Sequence, residues 1–300
     1  MRKVSKIVHK HVTILGIAVT SNPKVEVLSL IEKKLLKLDK NSLKQSPLFI
    51  VTPNPEQLVR AQKDKEFSKI LNSADFSLPD AVGMVQAAKY LSLGSPKLKA
   101  VRLPVSFGQG LVVGTATLLR KRWLESELQV IKGREFFYDL LRKANDRKWR
   151  VFLVGGMDGV AEKASLILGK EYKRVNFDYD TGPMLNEEGF PLTEKGRKSE
   201  ELVLQKIDKF RPHLLFVAFG APKQEKWMYR LRTKLNVGAM MVVGRTFDYV
   251  AGEMKAPPLF LAKNFEWLWT LVKYPKRVKR ITVAFPRFPL EVYLHKLRQN

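Results

Sequence analysis

The chain has 300 residues, 45% hydrophobic and 28% charged, enough for one large folded domain or a domain with an appendage. It contains no cysteine, which excludes disulfides and Cys-ligated metal centres. The formal net charge of +25 points to anionic partners (nucleic acid, anionic lipid head groups or phosphorylated substrates), and charge alone does not choose among them.

Taken in chain order, the opening stretch "HVTILGIAVTS" reads as a strand–turn–helix unit. Its apolar run is too short for a secretory signal, so a cytoplasmic location is expected. Of the four histidines, His9, His11, His213 and His295, the close pair His9 and His11 fits no metal-ligand spacing. In "SPLFIVTPNPEQLVRAQKD" the apolar run Leu48–Val51 predicts a strand, Asn54 a helix N-cap and Pro55 the first helical turn. Asn54 with Gln57 is nearly a capping box, whereas Thr52 has no capping role and suggests a polar cluster at the strand end. In "ADFSLPDAVGMVQAAKYL" Asp80 falls between a short strand and a helix. It has two readings, helix N-cap or general base on a sugar hydroxyl, and Gly83 would let a ligand approach the helix.

Leu103–Leu119 is a run of 17 uncharged residues, flanked by Arg102 on one side and Arg120, Lys121 and Arg122 on the other. It reads as a short span, an interface-lying or re-entrant segment, or a buried helix or loop. Farther on, "WRVFLVGGMDGVAEKASLIL" predicts a strand ending at Gly155–Gly156 and then a helix; the glycines serve a tight turn or admit a phosphate to the helix start. Asp178–Asp180, "DYD", reads as a solvated loop in preference to a metal site. In "LLFVAFGAPKQEKW" a strand breaks at Gly220, and Pro222 suits the first helical turn. Lys223 and Gln224 at that electropositive helix start suit a diphosphate or a sugar, while Glu225 is ordinary there. "GAMMVVGRTFDYVAG" is another buried strand running into a loop that carries Arg245 and Asp248.

From Glu253 to Asn300 there are ten Lys/Arg and three Glu, interleaved with Trp, Tyr and Phe. The mixture suits a membrane interface, single-stranded nucleic acid, or a helix pair with an aromatic core face. The expected division is a core over 1–252, with an inserted apolar segment near 95–128, and a basic appendage over 253–300. Strands alternating with helices imply an α/β fold, a parallel sheet with helices on both faces. Thr52, Asn54, Asp80, Gly155, Gly156, Gly220, Lys223 and Gln224 all fall just past predicted strand ends, where such sheets bind ligands, so they are expected to share a cleft.

Together these motifs resemble the WecG/TagA/CpsF family of bacterial glycosyltransferases. The resemblance spans roughly Val12 to Arg280 and rests on "TPNPEQLVRAQKDKEFSKILNSADFSLPDAVGMVQAAKYL", "GREFFYDLLRKANDRKWRVFLVGG", "RPHLLFVAFGAPKQEKW", "VVGRTFDYVAGEMKAPP" and "EWLWTLVKYPKRVKR". It implies a Rossmann-like fold and inverting transfer of an N-acetylhexosamine, N-acetylmannosamine or a relative, from a UDP-sugar to a polyprenyl-diphosphate-linked sugar. The site of action it implies is the cytoplasmic membrane face. It further implies Asp80 as general base, Thr52 and Asn54 in the same pocket, and Gln224 on the sugar or diphosphate. Arg277 and Arg280 would cover the site and help a peripheral protein dock on an anionic membrane; no metal or other cofactor is implied, and self-association through the core is.

Two positions depart from the family pattern. Val130 in "VIKG" stands where an arginine is expected, with Arg102, Lys132 and Arg134 as candidate replacements, and about thirty residues are inserted just before it. Arg245 in "GRTFD" stands where glycine is usual and reads as an added phosphate ligand or a mark of a different substrate. Both the inserted segment and the appendage are expected to contact lipid. The rival readings are a nucleic-acid-binding protein, which lacks a zinc, KH or RRM signature and leaves the strand-end cluster unexplained, and a catalytically silent sugar-nucleotide binder.

Overall fold

A computed structural model describes residues 10–40, 46–156, 159–255, 269, 273 and 282–298. Six parallel strands form the central sheet in the order β4-β3-β8-β7-β5-β6. These are β3 (Leu48–Val51), β4 (Phe76–Ser77), β5 (Arg150–Gly155), β6 (Asn176–Asp180), β7 (Leu214–Ala218) and β8 (Ala239–Val242). Strands β3, β7 and β8 are buried along their whole length, as continuous apolar runs in a sheet covered on both faces must be.

Successive side chains point to opposite faces. Phe49, Val51, Phe152, Val154, Leu215, Val217, Met240 and Val242 join one cluster. Leu48, Ile50, Val151, Leu153, Leu214, Phe216, Ala239 and Met241 join the other. The first face is covered by α2 (Pro55–Ala61), α3 (Lys65–Asn72), α4 (Val82–Ser92), α9 (Glu194–Phe210) and α10 (Lys223–Leu231). The second is covered by α1 (Lys24–Lys40), α7 (Gly133–Arg147), α8 (Val160–Glu171) and α11 (Thr246–Val250). This is the α/β architecture expected from the alternation of strands and helices.

The opening stretch differs from its expectation. It forms an antiparallel hairpin of β1 (His11–Ile14) and β2 (Ile17–Thr20) outside the main sheet. Leu15 and Gly16 both take positive φ, 49° and 75°, the two-residue turn whose twist matches a hairpin. "DYD" also differs: it lies in the edge strand β6, where Asp178 pairs with Lys206 at 3.1 Å and Asp180 accepts the Gly182 N–H at 2.8 Å.

Leu103–Leu119 belongs to one 21-residue helix, α5 (Lys99–Leu119), followed by the short α6 (Lys121–Leu124). No helix among the described residues is long and apolar enough to cross a membrane. The last helix, α12 (Phe288–Arg298), lies in the region expected as an appendage, yet Phe288 and Val292 are buried in the same cluster as β3 and α4. It packs against α2, α4 and α5.

Candidate active site

All six sheet strands run in one direction, so the residues that follow them gather along one edge. Two of those loops and the segment that enters α7 are stitched together. Leu78 N–H donates to Val51 O at 2.8 Å, Asp80 N–H to Pro53 O at 3.1 Å, and Ile131 N–H to Pro79 O at 2.9 Å. The loops after β3 and β4 and the entry to α7 therefore form one backbone unit.

Within that unit Asp80 is half-buried, and its Oδ1 accepts the N–H of Gly133, the first residue of α7, at 2.6 Å. Helix α4 starts two residues after Asp80 with Ala81 as N-cap and no side-chain cap, which decides against the N-cap reading. The carboxylate instead sits at the positive end of a different helix, where orphan N–H groups favour an anion. Thr52 packs on the same residue: a Cβ on Gly133 would lie 3.0 Å from Thr52 Cγ2. The structure thus brings Thr52 and Asp80 together through Gly133, a residue of the "VIKG" stretch.

Asn54 caps α2 in a full capping box, its Oδ1 accepting from Gln57 N–H and its own N–H donating to Gln57 Oε1, both at 3.1 Å. Gly83 does not serve ligand approach, because its open side is filled by Pro55 Cγ, 3.2 Å from a Cβ there, and by Phe288.

Sequence reasoning passed over Glu225. It is fully buried, and its Oε1 accepts from Gln57 Nε2 at 3.0 Å and from Gln224 Nε2 at 3.1 Å. Burial pushes its carboxyl up to about 7, against these two hydrogen bonds, which pull it down. Gln224 is 3% exposed, and its Oε1 accepts the Gly220 N–H at 3.1 Å. The amide of Gln224 is therefore built into the turn, while Lys223 at the helix start is half-buried. Gly220 takes φ +80° with open space on its Cβ side, so the turn conformation alone requires glycine.

At β5, Gly155 has φ +104° and a Cβ there would lie 2.8 Å from the Ala218 carbonyl carbon. Gly156 N–H donates to Ala218 O at 3.0 Å. These contacts favour the tight-turn reading of the glycine pair.

After β8, Arg245 Nη2 donates to Asp248 Oδ1 at 3.0 Å; Asp248 is buried and the Arg245 side chain is half-exposed. The first turn of α7 reaches this group too, with the Arg134 guanidinium 4.4 Å from the Tyr249 ring centre. Of the candidate replacements for the arginine expected at Val130, Lys132 and Arg134 flank Gly133. Arg102 instead donates to Pro96 O and Lys97 O at the start of α5. Arg277 and Arg280 lie outside the described residues. Among the described residues no group of three His, Cys, Asp or Glu is placed to hold a metal ion.

The strand order gives the cluster a reason. Strands β3 and β8 are neighbours, but the loop after β3 leads to α2 on one face of the sheet and the loop after β8 leads to α11 on the other, so the outgoing connection reverses between them. Ligands of doubly wound sheets bind at such reversals. Thr52, Asn54 and Asp80 lie on one side of it, Arg245 and Asp248 on the other.

Comparison with known proteins identifies relatives of this chain. An N-acetylglucosaminyldiphosphoundecaprenol N-acetyl-beta-D-mannosaminyltransferase of Bacillus spizizenii is 28% identical over 249 residues, 83% of this chain and 79% of that protein. The Bacillus subtilis protein of the same name is 27% identical over 245 residues, 81% of this chain and 78% of its own length. One from Staphylococcus aureus is 27% identical over 235 residues, 78% of this chain and 75% of its own length. The glycosyl transferase WecG/TagA/CpsF family matches residues 12–107 and 97–300, and the two stretches overlap at the start of α5. The chain belongs to the WecG/TagA/CpsF family of glycosyltransferases.

Proposed function

We propose that the chain transfers an N-acetylhexosamine, N-acetylmannosamine or a close relative, from a UDP-sugar to a polyprenyl-diphosphate-linked sugar, acting as a peripheral protein at the cytoplasmic membrane face. Support comes from the activity for which its relatives are named and, above all, from the placement of the Asp80 carboxylate at the sheet's ligand edge beside Thr52.

In this reading Asp80 takes the proton of the acceptor hydroxyl as that oxygen attacks the anomeric carbon. The bond from that carbon to the UDP oxygen breaks on the opposite face, so the configuration inverts. The Gly133 N–H holds the carboxylate in one orientation while it waits for the acceptor. The UDP leaving group carries away the bond pair. Cationic groups at the same edge, Arg245 and Lys223 with the amide-rich start of α10, offset its charge. No metal takes part in this scheme. Gln224 and the Gly155–Gly156 turn shape the walls, and self-association through the core domain belongs to the same reading.

The test is UDP release from a panel of UDP-sugars with a lipid-diphosphate-sugar acceptor, wild type against Asp80→Asn. A loss of about a hundredfold or more supports the general base and identifies the donor. Equal turnover in both removes Asp80 from that role.

A further inference from the structure

Helix α5 turns an apolar face outward. Its inward stripe is mixed: Val113 and Ala116 are buried beside the fully buried Ser106, Gln109 Oε1 accepts from Lys296 Nζ at 2.8 Å, and Thr117 Oγ1 accepts from Gln86 Nε2 at 2.6 Å. Its outward face is apolar: Leu103, Phe107, Leu111 and Val112 are each more than half exposed, and Leu119 is 82% exposed. Leu103, Phe107 and Leu111 follow one another at i, i+4 and form a ridge. A helix at a water-facing surface keeps polar residues on its outward face, and α5 does not.

The inward polar contacts are not accidental leftovers. Lys296 of α12 is 3% exposed and also donates to Tyr90 O of α4 at 2.7 Å. Its Nζ lies 4.2 Å from the Tyr90 ring centre. Tyr293 of α12 donates to Leu103 O at 3.4 Å. Polar side chains therefore lock α5 onto α4 and α12 and fix the apolar ridge outward.

The charge around the ridge is mainly positive, although Lys121 pairs with Glu125 at 3.7 Å and Lys89 with Glu127 at 3.5 Å. From Ala81 to Leu124 the chain has seven Lys/Arg and no Asp or Glu. Arg120, Lys121 and Arg122 are exposed at the end of α5, followed by the half-buried Trp123. An apolar ridge ending in cations and an indole matches the interface of an anionic bilayer, with the ridge among acyl chains and the cations at phosphate depth. A second copy laid face to face on the ridge would bring two such basic flanks together, which disfavours that occupant.

We propose that the outward face of α5 is a docking surface for an anionic lipid bilayer, lying in the interface and not crossing it. This deepens the reading of the chain as an enzyme of lipid-linked acceptors and rests on that reading for its purpose. The connection to the site is direct: α5 packs on α4, the helix that follows Asp80, and α12 joins α5 to α2, the helix capped by Asn54.

The test uses the full chain and the variant Leu103→Gln/Phe107→Gln/Leu111→Gln/Val112→Gln. Both are sedimented with vesicles of phosphatidylglycerol and phosphatidylcholine, and with phosphatidylcholine alone. The expected result is at least about a tenfold loss of vesicle partitioning in the variant, with tighter binding of wild type to the anionic vesicles. Turnover on a vesicle-embedded acceptor falls with it, while turnover on a short-chain, water-soluble acceptor stays at the wild-type level. Equal partitioning of variant and wild type overturns the proposal. So does a dimeric wild type whose variant is monomeric with unchanged partitioning, because α5 is then a contact between copies. Lost partitioning together with no turnover by wild type on either acceptor leaves the docking surface standing and removes the proposed reaction. If the quadruple variant fails to fold, Arg120→Glu/Lys121→Glu/Arg122→Glu replaces it. That variant is expected to lose the preference for phosphatidylglycerol, and an unchanged preference overturns the proposal.

Discussion

Gln57 and Glu225 are 168 residues apart in the chain, and the side-chain amide of one donates to the buried carboxyl of the other at 3.0 Å. This bond joins the capping box of α2 to the first turn of α10, so two loops of the candidate site share one buried group. The Glu225 carboxyl is pushed by burial from 4.5 to about 7. Its folded pKa is raised, so the fold binds the proton more tightly than the unfolded chain does. The stability that this proton contributes is complete below about 4.5 and is lost as pH rises to about 7. The expected loss is on the order of 3 kcal/mol. Glu225→Gln keeps an acceptor for Gln57 and Gln224 and does not titrate. Urea unfolding at a series of pH values should show the variant gaining on wild type between pH 4.5 and 7. Parallel curves would show that Glu225 does not titrate in this range.

Gly133→Ala places a methyl group 3.0 Å from Thr52 Cγ2 on the residue whose N–H holds Asp80. Contact that close forces the start of α7 or Thr52 to move. Turnover is expected to fall about tenfold or more, since small misplacements of a catalytic group are costly. Stability should change by only about 1 kcal/mol, because alanine is a better helix former than glycine. Adding Thr52→Ser removes the clashing methyl and should restore part of the activity. An active Gly133→Ala enzyme would show that the contact does not position Asp80.

Local spacing carried much of this structure in the sequence, and long-range pairing carried the rest. The apolar runs of β3, β7 and β8 are continuous because both faces of the sheet are covered, and they are legible for that reason. The Asn54–Gln57 capping box is legible because its partners are three residues apart. The hairpin was hidden because Leu15, at φ 49°, is not a residue that signals a positive-φ turn. Strand β6, "NFDYD", lies at the sheet edge and has no apolar run to mark it. Asp80 was legible as a strand-end carboxylate, but its partner Gly133 lies 53 residues away. Glu225 looked ordinary because three helix-start residues precede it and nothing local announces its burial.

Asn54→Ala separates capping from chemistry at the same strand end. Loss of the cap should cost about 1 kcal/mol of stability. Asn54→Ser keeps a capping oxygen and should recover most of that, as thermal unfolding would show. Turnover in Asn54→Ser near the wild-type value would assign Asn54 to the cap alone. Turnover lost in a variant of wild-type stability would assign it a part in the site.

Arg245 and Asp248 test whether the far side of the cleft meets the donor. Arg245 is half-exposed, so the ion pair itself contributes little, and Arg245→Ala should cost about 1 kcal/mol or less. If the guanidinium grips the diphosphate, donor KM should rise about tenfold in Arg245→Ala, because charge-assisted bonds to phosphate are among the stronger ones. Arg245→Lys should recover part of this, since a lysine keeps the charge but not the forked geometry. Asp248→Asn keeps the shape and removes the charge that aims the guanidinium, so its donor KM should rise less, about threefold. Steady-state kinetics with varied UDP-sugar measure all three. An unchanged KM across the series, with stability alone reduced, would confine the pair to holding α11 in place and move donor recognition to the start of α10.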